Sequence, residues 1–275
     1  IFIEDPAYYG ARKGFDAAGL ECVPIPVDLQ GIAVEQILAE PRKAKAVSLT
    51  PSHQFPTGAT LALDRRLALI EWARRHQAWI IEDDYDSEFH YAGKPMACVQ
   101  GLDRHDRTIY IGTFTKSLFP GLRIGYAVLP PQLVEPMTVA RTLLDGHSAP
   151  MAQLTLARFI EGGHFGAHIR TMRSIYAQRL DTLVGLVETY LSDFIEPRIP
   201  VGGLQMPCLL RDGLSERSAI DAARRSGVEL LGLSALHDRS DAAAGFLMGF
   251  AAYTPMEIEI AIRKLAAAFR AVAKP

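Results

Sequence analysis

Between Ile1 and Leu129 the chain alternates short β-rich runs with helix-like stretches, and this alternation restricts the fold more than any other feature. Ile1–Ile3, Glu21–Val27, Ala46–Thr50, Ala78–Ile81, Thr108–Ile111 and Ile124–Leu129 read as strands. Tyr8–Gly19, Val34–Ala39 and Asp64–His76 read as helices. Gly19 closes the first. The third carries Leu67, Ile70, Glu71 and Trp72 at helical spacing, with Asp64 as the expected N-cap. Strands alternating with helices predict βαβ units and a mostly parallel sheet covered on both faces. The connection through Pro120-Gly121 is short, so Ile124–Leu129 is the expected antiparallel exception.

The texture changes after Pro130-Pro131. From Ser148 to Leu191 strand signal is almost absent: Met151–Ile160 reads as a helix, Gly162-Gly163 breaks it, and Phe165–Leu191 reads as one long helix. Pro197–Pro200 and Gly202-Gly203 then introduce strands near Leu204–Leu210, Val228–Leu231 and Phe246–Ala251. Helices are expected at Glu216–Ser226 and Pro255–Val272. The expected organisation is a large α/β domain (1–147), connecting helices (148–191) and a small C-terminal α+β domain (192–275). Ile1-Phe2-Ile3 reads as a strand in mid-stride, so upstream sequence is expected.

A net charge of −2, from 29 basic and 31 acidic residues, with no block of like charge, disfavours nucleic-acid or membrane-surface binding by this chain itself. Three scattered cysteines suit neither a disulfide framework nor a zinc site, and point to a reducing, cytoplasmic setting. No metal site is expected. No apolar run approaches the about 20 residues of a membrane span.

In open α/β sheets ligands gather at the carboxyl ends of strands. Three strand ends here carry polar groups: Pro51–Gly58, Glu82–Asp86, and the turn Gly112–Lys116. Each has a bland reading. Glu82–Asp86 alone reads as a solvated acidic loop, His53 as a turn histidine, and Lys116 as a surface lysine. Their convergence on one crevice points to a site. A lysine buried between apolar strands is costly unless it is paired or loses its proton, and the same burial suits an amine to Schiff-base chemistry. Thr113, Thr115 and a helix start expected after Lys116 offer hydroxyl and backbone donors to a phosphate. Arg123 adds a charge-assisted contact. Asp83 could keep a ring nitrogen protonated, and Tyr85 could donate to a phenolic oxygen. That donor set describes pyridoxal 5′-phosphate.

Glu82–Tyr91 (EDDYDSEFHY), Thr50–Gly58 (TPSHQFPTG) and Gly112–Tyr126 (GTFTKSLFPGLRIGY), with Glu4–Gly10 (EDPAYYG), resemble the aminotransferase-like domain of MocR/GabR-type regulators in the GntR family. The resemblance covers essentially the whole chain. It implies the fold type I architecture of aspartate aminotransferase, with a large, mostly parallel seven-stranded sheet sandwiched by helices and a small α+β domain. It implies pyridoxal phosphate as cofactor, with Lys116 as the internal-aldimine lysine. Asp83 then pairs with the pyridine nitrogen and Tyr85 with the ring oxygen. Thr113, Thr115 and Arg123 hold the phosphate, and Tyr8 stacks on the ring. It also implies a homodimer and DNA binding through a winged helix-turn-helix domain absent from this chain. The first part of the aminotransferase-like domain, with a glycine-containing turn that contributes phosphate ligands, is expected upstream as well.

Two departures matter. Aminotransferases of this fold usually carry Asn before the Pro-Thr-Gly, where this chain has Phe55. An arginine that binds the substrate carboxylate in related aminotransferases and in the GABA-responsive regulator is matched here by Ala252 in Gly249–Tyr253. Losing that bidentate partner costs a few kcal/mol of amino-acid binding. The expected function is therefore a pyridoxal-phosphate-binding domain that senses an amine or amino-acid effector and dimerises a bacterial transcription regulator. The alternative is a working aminotransferase. A P-loop reading of Thr115-Lys116-Ser117 fails for want of its glycines, and a Ser/Thr acyl-enzyme reading lacks its accompanying motifs.

Overall fold

The computed structural model describes residues 1–238 and 243–273. Seven helices, a short 3-10 turn and seven strands occupy the first 190 residues. β1 (Phe2–Asp5), α1 (Tyr9–Ala17), β2 (Val23–Asp28), β3 (Gly31–Ile32), α2 (Val34–Ala39) and β4 (Ala46–Leu49) come first. They lead into α3 (Leu63–His76), β5 (Trp79–Asp84), α4 (Val99–Leu102), β6 (Thr108–Thr113), the 3-10 turn Pro120–Leu122 and β7 (Gly125–Val128). The sheet runs β3-β2-β1-β4-β5-β6-β7. Its centre, β2-β1-β4-β5-β6, is parallel, while β3 and β7 are antiparallel edges. Val47 and Ile80, both fully buried, sit in the core under Leu69, Trp72 and Ala73 of α3.

Four details differ from the sequence reading. First, β5 continues through Glu82, Asp83 and Asp84 instead of ending before them. Glu82 accepts from the backbone N–H groups of Val99 and Gln100 at the start of α4, at 2.8 Å each. Asp84 accepts from Ser87 Oγ and the Tyr110 hydroxyl. Hydrogen-bonded carboxylates are tolerated in a buried strand where bare ones are not. Second, α3 buries Arg66, Leu69, Ile70, Trp72 and Ala73 and exposes Leu67. The N-cap position is Ala62, with no side-chain cap, and Asp64 lies in the first turn. Third, no helix follows Lys116. The chain closes a single turn, Leu118 N–H to Phe114 O at 2.9 Å, before the 3-10 turn. Fourth, α5 (Pro131–Asp145) fills a stretch to which the sequence reading assigns no element. Pro131 occupies the first helical position, which needs no N–H donor.

α6 (Pro150–Glu161) and the 27-residue α7 (His164–Tyr190) follow. β8 (Ile195–Pro197), β9 (Gln205–Leu210), α8 (Glu216–Arg225), β10 (Leu231–Gly232), β11 (Gly245–Gly249) and α9 (Pro255–Val272) build a four-stranded antiparallel sheet, β10-β11-β9-β8, backed by helices. The expected strand Val228–Leu231 shrinks to β10. Thr254 caps α9 with a capping box to Glu257, which explains why its limits were readable. A second apolar core joins Phe246, Phe250 and Phe269 to Leu183 and Val187 of α7. Among the described residues no helix is long and apolar enough to cross a membrane.

Candidate cofactor cavity

Strand pleating sorts the acidic run. With Glu82 and Asp84 directed toward α4 and β6, Asp83 projects from the opposite face of β5. There it lines a cavity of about 330 Å³ together with Tyr8, Thr50, Tyr85, Asp86, Thr113, Thr115 and Lys116. His53, Gln54, Phe55, Pro56 and Gly58 supply a second wall, and Gly202–Gln205 cover it from the antiparallel-sheet side.

Six of the seven residues singled out from sequence therefore meet in one cavity. Arg123 does not. It ends the 3-10 turn with φ of 52° and is exposed. Lys116 also departs from expectation, because its turn leaves it exposed and β7 beside it is exposed along its whole length. The amine is accessible, not entombed between apolar strands. The turn itself is well held: Thr115 N–H donates to Thr113 Oγ1 at 3.1 Å, Phe114 N–H to Ile124 O, and Phe114 packs edge-on against Phe165. Ala252, exposed in the turn after β11, is not among the cavity's lining residues.

Asp83 has no hydrogen-bond partner among the described residues. Burial, followed by repulsion from Asp84 and Asp86, pushes its carboxyl up to about 6. A carboxyl at that value exchanges a proton readily with a pyridine-like nitrogen. Tyr85 donates to His53 O at 3.0 Å, and burial raises its phenol well above the usual value. The Tyr8 ring meets Phe55 edge-on at 5.9 Å. The side-chain N and O atoms around the cavity thus combine an accessible amine, an unpaired carboxyl, hydroxyls and an aromatic face.

Sequence reasoning gave little weight to the scaffold behind these groups. Glu4 Oε2 accepts from Thr50 N–H and Thr50 Oγ1 at 3.0 and 2.8 Å, and Thr50 Oγ1 in turn accepts from Phe55 N–H. Gln54 Nε2 donates to Pro6 O, welding the Tyr8-bearing loop to the Thr50–Gly58 loop. Arg66, fully buried, donates to Leu61 O, Ala97 O and Pro51 O. Among the described residues no group of three or more His, Cys, Asp or Glu could hold a metal ion.

Parallel sheet, antiparallel edge strand and a lysine turn over an acidic strand define an aminotransferase-type α/β protein. Residues 1–215 match the aminotransferase class I and II family, and the chain belongs to it. It is 38% identical over 270 residues to the uncharacterized HTH-type transcriptional regulator YdeL of Bacillus subtilis, covering 98% of this chain and 58% of that protein. It is 36% identical over 272 residues to the probable rhizopine catabolism regulatory protein MocR of Rhizobium meliloti, covering 98% and 55%. The chain thus spans little more than half the length of these relatives. Among solved structures, Pyrococcus horikoshii kynurenine aminotransferase, determined in complex with PMP, superposes with a TM-score of 0.90 at 28% identity, over 100% of this chain and 70% of that one. The fold type I expectation holds on that basis.

Proposed function

We propose that the chain is the pyridoxal-phosphate-binding, effector-sensing part of a bacterial transcription regulator. The observation that carries this reading is the meeting of Lys116, Asp83, Thr113 and Thr115 around one cavity. The HTH-type relatives supply the regulatory half of it. Pyridoxal phosphate, when bound, supplies an aldehyde that condenses with amines and a ring that draws electrons from them. Toward that group the chain's own residues divide the work. Lys116 presents its Nζ as the amine nucleophile from a turn braced by Thr113 and Phe114. Asp83 holds or releases a proton at a ring nitrogen. Thr113 accepts from Thr115 N–H yet keeps its own O–H, so both threonine hydroxyls are available to phosphate oxygens. Tyr85 binds through its phenol oxygen while donating to His53 O, and Tyr8 offers its ring face. Arg123, exposed and not lining the cavity in this chain, is the remaining candidate for a charge-assisted phosphate contact.

In this reading the units are those expected from sequence, 1–147, 148–191 and 192–275. The full protein is a cytoplasmic homodimer that contacts DNA through a winged helix-turn-helix domain outside this chain. An amine or amino acid entering the cavity competes with Lys116 and shifts the population of states seen by that domain. The expected result is that the protein with pyridoxal phosphate shows a visible absorbance band which Lys116→Ala abolishes; an unchanged spectrum in that variant would overturn the assignment.

The likeness to kynurenine aminotransferase favours catalytic transamination as a second reading. Phe55 in the cavity wall, where related enzymes carry asparagine, opposes it. A panel of amino acids and 2-oxo acids separates the two. The sensor reading expects no sustained turnover, and kcat on the order of 1 s⁻¹ would replace it with the enzyme reading.

A further inference from the structure

The cavity wall contains a buried ionisable pair that the reading above leaves without a task. His53, from the loop after β4, and Asp86, two residues beyond β5, are 3% and 2% exposed. Their Nδ1 and Oδ1 atoms are 2.9 Å apart. The His90 ring stacks parallel to His53, with centroids 6.0 Å apart. Asp84 and Lys116 act on Asp86 through their charges, and Glu88 and Arg173 stand nearby.

The segment leading into β9 lies directly on this pair. A Cβ built on Gly202 would stand 2.3 Å from His53 Nε2, and one on Gly203 would stand 2.9 Å from Asp86 Oδ2. Only glycine lets the backbone come so close. Gly203 has φ of +85° as well. The segment is then fastened to the other side of the same strand end: Gly203 N–H donates to Phe89 O at 2.7 Å, Tyr91 N–H to Val201 O at 2.9 Å, and the Tyr91 hydroxyl to Gly203 O at 2.6 Å. All four residues of the contact, His53, Asp86, Gly202 and Gly203, line the Lys116 cavity, and the His53 carbonyl holds Tyr85. The cavity and the antiparallel sheet therefore share one contact.

We infer that the His53–Asp86 pair is a positioning element that couples occupancy of the Lys116 cavity to the seating of Val201–Gln205, and through β9 to the antiparallel sheet. This rests on the proposal that a ligand enters that cavity. A group pressing on His53 or Asp86 shifts the surface on which Gly202 and Gly203 rest. The glycines have no side chains to absorb the shift, so the segment moves with it.

Amide hydrogen exchange of peptides spanning residues 200–206 tests the inference, with the chain alone and with added pyridoxal phosphate. Without ligand, Asp86→Ala is expected to speed exchange there by roughly tenfold, the effect of losing one buried charged hydrogen bond, with β1 and β4 peptides unchanged. Asp86→Asn, which still accepts from His53 Nδ1–H, restores the parent rate. With pyridoxal phosphate, exchange of the segment slows in the parent and fails to slow in Asp86→Ala. Gly202→Ala approaches the contact from the other side: its Cβ would stand 2.3 Å from His53 Nε2 and 2.5 Å from Phe89 O, so the ring or the segment must give way while Asp86 itself is unchanged. It should give the same local speeding, which covers the case in which Asp86→Ala does not fold. Parent-like rates in both Asp86→Ala and Gly202→Ala, or equal slowing by ligand in parent and Asp86→Ala, would overturn the inference. If the parent shows no absorbance band with pyridoxal phosphate, the ligand reading fails, and the ligand-free rates still decide the role of the pair.

Discussion

Arg66→Met is expected to destabilise the chain by about 3 kcal/mol and to loosen the cavity wall with it. The guanidinium is fully buried, and its three described bonds all go to carbonyls, at Leu61, Ala97 and Pro51. Methionine keeps much of the bulk and none of the donors. Each orphaned buried carbonyl costs about 1–3 kcal/mol, while relief of the guanidinium's own desolvation offsets part of the total. Burial lowers the Arg66 pKa, and the charges of Glu82 and Asp84 partly counter that. Removing the cation thus also leaves the buried Glu82 carboxylate less compensated. The lost bonds outweigh the relieved charge: Leu61 O and Ala97 O lose the guanidinium, and Pro51 O keeps only the Leu61 N–H at 2.9 Å. Chemical denaturation reads the loss. Because Pro51 begins the loop that carries His53, Gln54 and Phe55, affinity for pyridoxal phosphate should fall in the same variant. A denaturation midpoint equal to the parent's would show that water replaces the guanidinium at all three carbonyls.

Glu4→Gln should remove most of the acid-side gain in stability. Burial drives the Glu4 carboxyl from 4.5 up to about 7, against the hydrogen bonds from Thr50 that favour its charged form. The folded value is the higher one, so between the two values the folded state holds a proton that the unfolded chain has released. The associated stability is fully present below pH 4.5 and is lost as pH rises through 7. Its size is about 3 kcal/mol. Glutamine keeps an oxygen for Thr50 and cannot ionise. Unfolding free energies of parent and variant should therefore be close at pH 5, with the variant the more stable at pH 8. Glu88, pushed up to about 7, and Asp83, at about 6, titrate with the same sign and leave a residual slope in the variant. A variant as steep as the parent would place the proton on those carboxyls instead.

Residues whose partners lie nearby in sequence were legible, and residues whose partners lie far away were not. The capping box at Thr254 and Glu257 spans three residues, and α9 could be bounded from the sequence. The connection at Pro120-Gly121 correctly marked β7 as antiparallel. Glu82 was misread as loop because the amides that satisfy it belong to Val99 and Gln100, seventeen and eighteen positions on. Arg66 escapes a sequence reading for the same reason: two of the three carbonyls that compensate the arginine's burial lie fifteen and thirty-one residues away. Within the cavity, motif order brought Lys116, Asp83, Tyr85, Thr113, Thr115 and Tyr8 together. Arg123 is exposed after the 3-10 turn, at φ of 52°, and does not line the cavity in this chain. The contact between Gly202-Gly203 and His53–Asp86 joins residues more than a hundred positions apart, and two adjacent glycines read only as the lead-in to the next strand.

The alternation along Trp79–Asp84 has a consequence for how such a chain tolerates insertions and deletions. One pleat sends Glu82 and Asp84 to amide and hydroxyl donors and Asp83 into the cavity. A single-residue insertion or deletion upstream in β5 would exchange those faces. It would bring a satisfied carboxylate into the cavity and strand Asp83 among donors placed for its neighbours. The surface loop between Tyr91 and Val99 faces no such parity rule, so length variation among functional descendants of this chain should gather there and spare the strand.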